Sequence, residues 1–306
     1  MLETPVLFIV FNRPDTTSQV FERIRTIQPK SLYVVADGPR KSVQTDLKNC
    51  NEVREIVSKI DWECNVRTEF KEENVGPENT IKNALNWFFN EVEYGIILED
   101  DCLPSLSFFI YCERLLKKFQ QDESINIITG CNFFENRLSD QYNYFIGDFM
   151  FSWGWASWAR VFKDFKWGHH YSMEQIEQQL NSRYNNRKYA NWLFNIIKHS
   201  YESEGNWDAE FLVSNIMNNK KGITPAVNLI SNIGDTGTHY NKSKSKILFV
   251  PASEFEINGH FEDRYTTMSD KLKNRIINNF LKLDNPLNFR DRLYLFKSRL
   301  LSLLNK

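Results

Sequence analysis

The feature that most constrains this chain is an alternation of short apolar runs with helix-period segments over its first 130 residues. Val6–Phe11 is an apolar run that breaks at Asn12-Arg13-Pro14. Thr16–Ile27 has helical spacing, with Val20, Ile24 and Ile27 on one side and Asp15 as its N-cap. SLYVVA, residues 31–36, reads as a second strand, stopped by Asp37-Gly38-Pro39. Helical spacing returns over Leu47–Ile60. Asn65–Phe70 reads as a third strand, Pro77–Asn90 as a helix with Pro77 in its first turn, and Tyr94–Leu98 as a fourth strand. Ser105–Phe119 reads as a helix and Ile125–Thr129 as a fifth strand. Near-continuous apolar strands separated by helices predict an α/β fold: a mostly parallel, Rossmann-like central sheet with helices on both faces.

In such a sheet ligands bind outside the carboxyl ends of the strands. The polar residues of this half gather at those ends. Asn12 and Arg13 follow the first strand, Asp37 the second, and Glu99, Asp100 and Asp101 the fourth. The acidic triplet in YGIILEDDCLPS has no basic neighbour in sequence, and adjacent buried carboxylates are costly without a counter-charge.

Beyond Gly130 the pattern loosens into aromatic loops with helices predicted at Met173–Leu180, Tyr189–Tyr201 and Asp208–Met217. No glycine- or proline-rich linker separates this part from the first. Residues 1–250 therefore read as one domain with two halves, 1–130 and 131–250. Residues 251–306 read as a loop (Ser253–Thr267) and a basic helical tail. The chain of 306 residues has a formal net charge of -1, which is not the bulk charge of a nucleic-acid binder. The charge is uneven. From Lys271 onward nine basic residues face only Asp284 and Asp291, a surplus of seven positive charges. Five cysteines without a CxxC pair read as reduced thiols of a cytoplasmic protein. The N-terminal apolar run is too short for a signal peptide, and no run approaches the ~20 residues that span a bilayer.

There is no GxxxxGK[ST] and no GxGxxG after the first strand, so neither a P-loop nor a dinucleotide motif holds phosphates here. An acidic cluster at a strand end instead recruits a hard divalent cation, Mn²⁺ or Mg²⁺, which bridges two phosphate oxygens. Asp101, helped by Glu99 and Asp100, is the candidate ligand. The alternative is that Glu99 caps the following turn and both aspartates sit in solvent.

These segments together resemble the GT-A glycosyltransferases, in particular the N-acetylglucosaminyltransferase I-like group and bacterial family 2-like nucleotide-diphospho-sugar transferases. FIVFNRPDTTSQVFERI resembles the family's first strand and helix, VVADGP its second strand end, and NTIKNALNWFF with YGIILEDDCLPSLSFFIYCERLL its helix and Glu-Asp-Asp metal motif. INIITGCN, DFMFSWGWASW, NWDAEFL and NLISNIGDTGTHY resemble the following strand, the Gly-Trp acceptor-side loop, the Trp-Asp helix start and the closing loop. The resemblance implies that Arg13, beside Asn12, contacts the diphosphate and that Asp37 hydrogen-bonds uracil. It implies that Glu99 and Asp100 touch sugar or ribose and that Asp101 ligates the metal. Asp208 becomes the general base of an inverting displacement. The family often shows Trp-Asp-Asp, whereas Ala209 and Glu210 follow Asp208 here, so the base is Asp208 or Glu210. The implied partners are a UDP-sugar donor, UDP-GlcNAc-like, and a glycan or lipid-linked acceptor of a bacterial surface polysaccharide.

Blander roles stand beside these. Asp37 in Asp-Gly-Pro makes a turn. Trp153, Trp155 and Trp158 pack a core or floor a sugar pocket, and Trp207 anchors the helix that presents Asp208. His239 is a structural histidine or a phosphate contact. The stripe Leu293, Phe296, Leu300 and Leu304, with basic residues around it, forms an amphipathic helix that either docks on protein or lies on an anionic leaflet, the inner face of the plasma membrane. The competing functions are a sugar-1-phosphate nucleotidyltransferase and a non-catalytic glycan- or nucleotide-binding module.

Overall fold

The computed structural model describes residues 1–132, 142–148, 150–163, 165–201, 206–234, 251–254 and 265–274. Strands β1 (Val6–Val10), β2 (Ser31–Ala36), β3 (Asn65–Phe70) and β4 (Tyr94–Glu99) run parallel to one another in the order β3-β2-β1-β4. Helices α1 (Pro14–Ile27), α2 (Asp46–Val57) and α3 (Pro77–Glu91) form the crossovers. α1 starts because Pro14 fixes the first turn; its N-cap is Arg13 rather than Asp15, which lies inside the first turn.

Alternation along β1 explains the two covered faces. Val6, Phe8 and Val10 pack with α1, α2 and α4 residues such as Ile24, Val53 and Phe109. Leu7 and Ile9 pack on the other side with Ala84, Leu85 and Phe88 of α3. α4 (Leu106–Lys118) follows the short β5 (Cys102–Pro104) and leads to β6 (Ile125–Thr129). The α/β architecture with a mostly parallel sheet and helices on both faces is thus the observed one.

The second half holds strands the periodicity did not reveal. β7 (Tyr144–Gly147), β8 (Trp155–Trp158), β9 (Lys221–Pro225) and β11 (Tyr265–Thr267) complete a nine-stranded sheet in the order β11-β7-β9-β6-β8-β4-β1-β2-β3, and β10 (Ile230–Asn232) pairs antiparallel with β5. β11 takes up the last three residues of Ser253–Thr267, which reads in sequence as loop. β8 runs antiparallel between β4 and β6. Its Trp155 and Trp158 are buried, so these two tryptophans are core residues. Because β8 is reversed, the loop Met150–Gly154 that enters it is delivered at the carboxyl edge of its parallel neighbours. α5 (Ala159–Phe162), α6 (Met173–Arg183), α7 (Arg187–Tyr201) and α8 (Trp207–Met217) follow, the last three around a second core with Phe145, Leu193 and Val213. α6 is set by a capping box between Ser172 and Gln175. Among the described residues no helix is long and apolar enough to cross a membrane. His239 and the stripe at 293–304 lie outside the described residues.

Candidate active site

One cleft of about 1110 Å³ opens at the carboxyl ends of β1, β2 and β4. It is lined by Asn12, Arg13, Asp37, Glu99, Asp100 and Asp101 from one half, and by Asp208, Trp153 and Trp207 from the other. Separate strand ends and the α8 start therefore bring all but one of the candidate residues together. The exception is Glu210, which does not line the cleft.

Arg13 is what faces the acidic triplet. Its Nη1 donates to Asp101 Oδ2 at 2.8 Å, and its Nη2 donates to Asp100 Oδ1. Asp100 Oδ2 also accepts the Phe11 N–H at 3.2 Å, and Asp100 is buried. Burial opposes the charge on Arg13, but Asp100 and Asp101 outweigh it and hold the guanidinium protonated. Three carboxylates against one guanidinium leave negative charge uncompensated. Burial, then Asp101 and Asp100, push Glu99 up to about 8, with a further contribution from Asp208 across the cleft. Burial lifts Asp100 to about 6 against the pull of Arg13. The triplet, expected to be answered by a cation alone, is answered in part by a side chain 87 positions away, which the sequence order hides.

Gly234 closes over this ion pair. A Cβ on it would fall 2.7 Å from Asp101 Oδ2 and 3.0 Å from Arg13 Nη1, so any larger residue here would push the ion pair aside. The Ile233 N–H donates to the Asp101 carbonyl at 2.8 Å and fixes the segment after β10.

Asp37 does not have the geometry expected of a base reader. Its Oδ1 accepts from the N–H groups of Gly38 (2.8 Å) and Val75 (3.0 Å), and its Oδ2 accepts from Asn74 Nδ2 (2.8 Å) and the Gly76 N–H (3.2 Å). A carboxylate offers about four lone-pair directions, and these four bonds occupy them. The aspartate ties the end of β2 to the loop before α3. Gly38 permits the contact, since a Cβ there would lie 2.3 Å from the Glu73 backbone. Asn12 is likewise engaged, donating to Asp46 Oδ1 at 2.7 Å, while Arg40 donates to both Asp46 oxygens.

Across the cleft, Asp208 is exposed on the first turn of α8, its carboxylate accepting the Ala209 N–H at 2.9 Å. Trp207 anchors that turn by stacking on Trp155, with ring centroids 5.8 Å apart. Glu210 points elsewhere. It is buried, pairs with Lys82 of α3 at 3.0 Å, accepts the Gly168 N–H at 2.8 Å and lies 3.9 Å from His169. Of the two acids that sequence leaves open, Asp208 is the one presented to the cleft. Met150, Phe151, Ile196 and Leu212 give the same side an apolar wall, and Arg40, Asn49 and Asn74 add polar groups to the opposite end. Of these seven, Met150, Phe151 and Leu212 fall within the stretches DFMFSWGWASW and NWDAEFL and Arg40 follows VVADGP, while Ile196, Asn49 and Asn74 carry no sequence signal.

Among the described residues no group of three or more His, Cys, Asp and Glu side chains is placed to hold a metal ion by itself. A magnesium-type site needs less: one or two carboxylates, with phosphate oxygens and water completing the sphere. The hard oxygen donors of Asp101 and Glu99 suit that role, and a cation beside them would offset the crowding of carboxylates that raises Glu99.

No protein-family model matches this sequence, and no curated protein matches it. Among solved structures, the chain is similar to 4-diphosphocytidyl-2C-methyl-D-erythritol synthase from Anaerococcus prevotii at 8% identity and TM-score 0.33, covering 55% of this chain and 80% of that one. It is similar to apo UDP-glucose pyrophosphorylase at 10% identity and TM-score 0.36, covering 74% and 90%. It is similar to mouse xyloside xylosyltransferase 1 at 10% identity and TM-score 0.27, covering 44% and 55%. Overlaps this distant say nothing of substrate.

Proposed function

We propose that the chain is a GT-A-type, cation-dependent, inverting glycosyltransferase that uses a UDP-sugar, UDP-GlcNAc-like, and an acceptor hydroxyl on a glycan or lipid-linked glycan. The observation that carries the reading is the disposition of opposite chemistries across one cleft. Arg13 and the carboxylates of β4 lie on one side, and the exposed carboxylate of Asp208 lies on the other.

In this reading Asp101 holds Mn²⁺ or Mg²⁺, which supplies positive charge to a departing diphosphate. Arg13 orients the phosphates and adds its own charge as the anomeric C–O bond to the diphosphate breaks and the electron pair leaves with UDP. Glu99 and Asp100 hold hydroxyls of the donor, and Asp100 keeps Arg13 in place. Asp208 accepts the proton of the acceptor hydroxyl as its oxygen bonds to the anomeric carbon from the opposite face. The apolar wall excludes water from that path. The basic segment at 281–306 brings the enzyme to an anionic membrane surface on the cytoplasmic side, where a lipid-linked acceptor resides.

The test is UDP-sugar turnover by the full chain with and without Mn²⁺, reading the product. UDP release that needs Mn²⁺ supports the transferase. Pyrophosphate formation from UTP and a sugar phosphate assigns a nucleotidyltransferase instead, and neither product leaves a binding module. Asp101→Ala is expected to abolish Mn²⁺-dependent UDP binding by calorimetry.

A further inference from the structure

The nucleotide end of the cleft is bounded by Phe11, Asn12, Asp37, Arg40, Asn49 and Asn74. With both Asp37 oxygens doubly occupied, a ring N–H can bind there only by displacing a backbone or Asn74 bond. The hydrogen bonds around Asp37 also fix its neighbour. Asn74 Nδ2 donates to Asp37 Oδ2 at 2.8 Å and to the Gly38 carbonyl at 3.0 Å. Exchanging the amide oxygen and nitrogen would set oxygen against oxygen in both contacts, so the orientation of the amide is determined. Its Oδ1 makes no hydrogen bond among the described residues, and Asn74 lines the cleft. Two donor-bearing side chains share that end. The Asn49 side-chain amide has no hydrogen bond among the described residues. Arg40 lies over the Phe11 ring at 5.3 Å, with Nε and Nη2 on Asp46 and Nη1 uncommitted among those residues.

Resting on the transferase reading, we infer that Asn74 reads the nucleobase, that Asp37 is its platform, and that the site takes an imide base, uracil or thymine. An imide base offers a ring N–H donor between two carbonyl acceptors. That pattern asks for an acceptor, which Asn74 Oδ1 supplies, and for donors, which Asn49 and Arg40 carry on the same cleft. Cytosine presents a bare ring nitrogen and an amine at the same edge, so lone pair would meet lone pair and donor would meet donor. A mismatch of that kind leaves polar groups unpaired on both partners and discriminates strongly. Asp37 acts at one remove, as a positioning residue: it holds the amide that makes the contact.

Calorimetry on the full chain with Mn²⁺ tests this, using UDP, dTDP, CDP, GDP and N3-methyl-UDP. The wild type is expected to bind UDP or dTDP at least tenfold tighter, in order of magnitude, than CDP and N3-methyl-UDP. The comparison of UDP with dTDP tells uracil from thymine. Asn74→Ala is expected to bind UDP, CDP and N3-methyl-UDP alike, at the weak level of the last two. Asp37→Asn is expected to lower the melting temperature and to weaken UDP more than CDP or N3-methyl-UDP, narrowing the ratio without abolishing it. If Asn74→Ala does not fold, Asn74→Ser, which keeps a small hydroxyl against Asp37, carries the same ligand comparison. The inference is overturned if Asn74→Ala still distinguishes UDP from N3-methyl-UDP while Asp37→Asn does not, or if the wild type prefers CDP or GDP. Absence of binding by any nucleotide would instead remove the transferase reading, and this inference with it.

Discussion

Arg13, Arg40, Asp46, Asp100 and Asp101, on the side of the cleft built by residues 1–132, are held in ion pairs with one another. Asp208, on the other side, stands on a helix turn anchored by aromatic packing, Trp207 on Trp155. The first side is arranged by charge before any ligand arrives, and the second by shape. Neutralising variants should therefore disturb the first side and cavity-forming variants the second, with Asp208, the proton acceptor of the proposed reaction, as the exception.

The largest effect is expected from Asp208→Asn. Loss of a general base costs roughly 10²–10⁴ in rate, so turnover should collapse while calorimetry shows unchanged UDP binding; normal turnover would break the contrast at its centre. Next comes Trp155→Ala. Trp155 is buried against Phe162, Trp207 and Phe211, and removing such a side chain costs roughly 3–5 kcal/mol. Denaturant unfolding should register that loss, with acceptor-side function lost before donor binding.

Asp46 sharpens the opposite side. Its side chain is 1% exposed, and the hydrogen bond from Arg40, then that from Asn12, hold it at about 2. A carboxylate depressed in the folded state contributes stability above its unfolded value of about 3.9 and loses it as pH falls through the folded one. Asp46→Asn should therefore cost on the order of 2 kcal/mol at pH 7, and its difference from wild type should shrink between about pH 4 and pH 2. The smallest effect is expected at Arg13. Arg13→Gln frees Asp101, so Mn²⁺ alone should bind roughly fivefold tighter, the equivalent of an ion pair worth about 1 kcal/mol. UDP binding in the presence of Mn²⁺ should weaken in the same variant. Unchanged Mn²⁺ affinity would show that the ion pair does not compete for Asp101.

The same contrast explains what the sequence made legible. β2 and β6 are apolar runs bounded by helices and β3 is an exposed, largely polar edge strand set between two helices, and all three are readable to the residue and α3 to one residue at its end. Strand ends in a parallel sheet share an edge, which is why Asn12, Arg13, Asp37 and the triplet could be placed in one cleft. The second half hides its strands. β7, β8 and β9 are four or five residues long and paired on both sides, and β10 is only three residues long, so no alternation marks them. Trp155 and Trp158 are misleading in sequence for the same reason, since a short buried strand tolerates any bulky residue. The Asp37 cluster was out of reach because three of its four donors lie 37 to 39 positions onward, on a loop whose hydrogen bonds only a folded backbone brings near.

The reversed strand β8 also bears on how the chain becomes a sheet. Tyr94–Ile97 finds its second neighbour only at residues 155–158, some sixty positions later, with β6 already made between them in sequence. A nascent chain that has emerged only as far as residue 130 thus presents β4 as a bare, apolar rim, open to pairing with another ribosome's product. Truncation there should yield inclusion bodies, and extension through residue 225, which supplies both β8 and the β9 that covers β6, should relieve them.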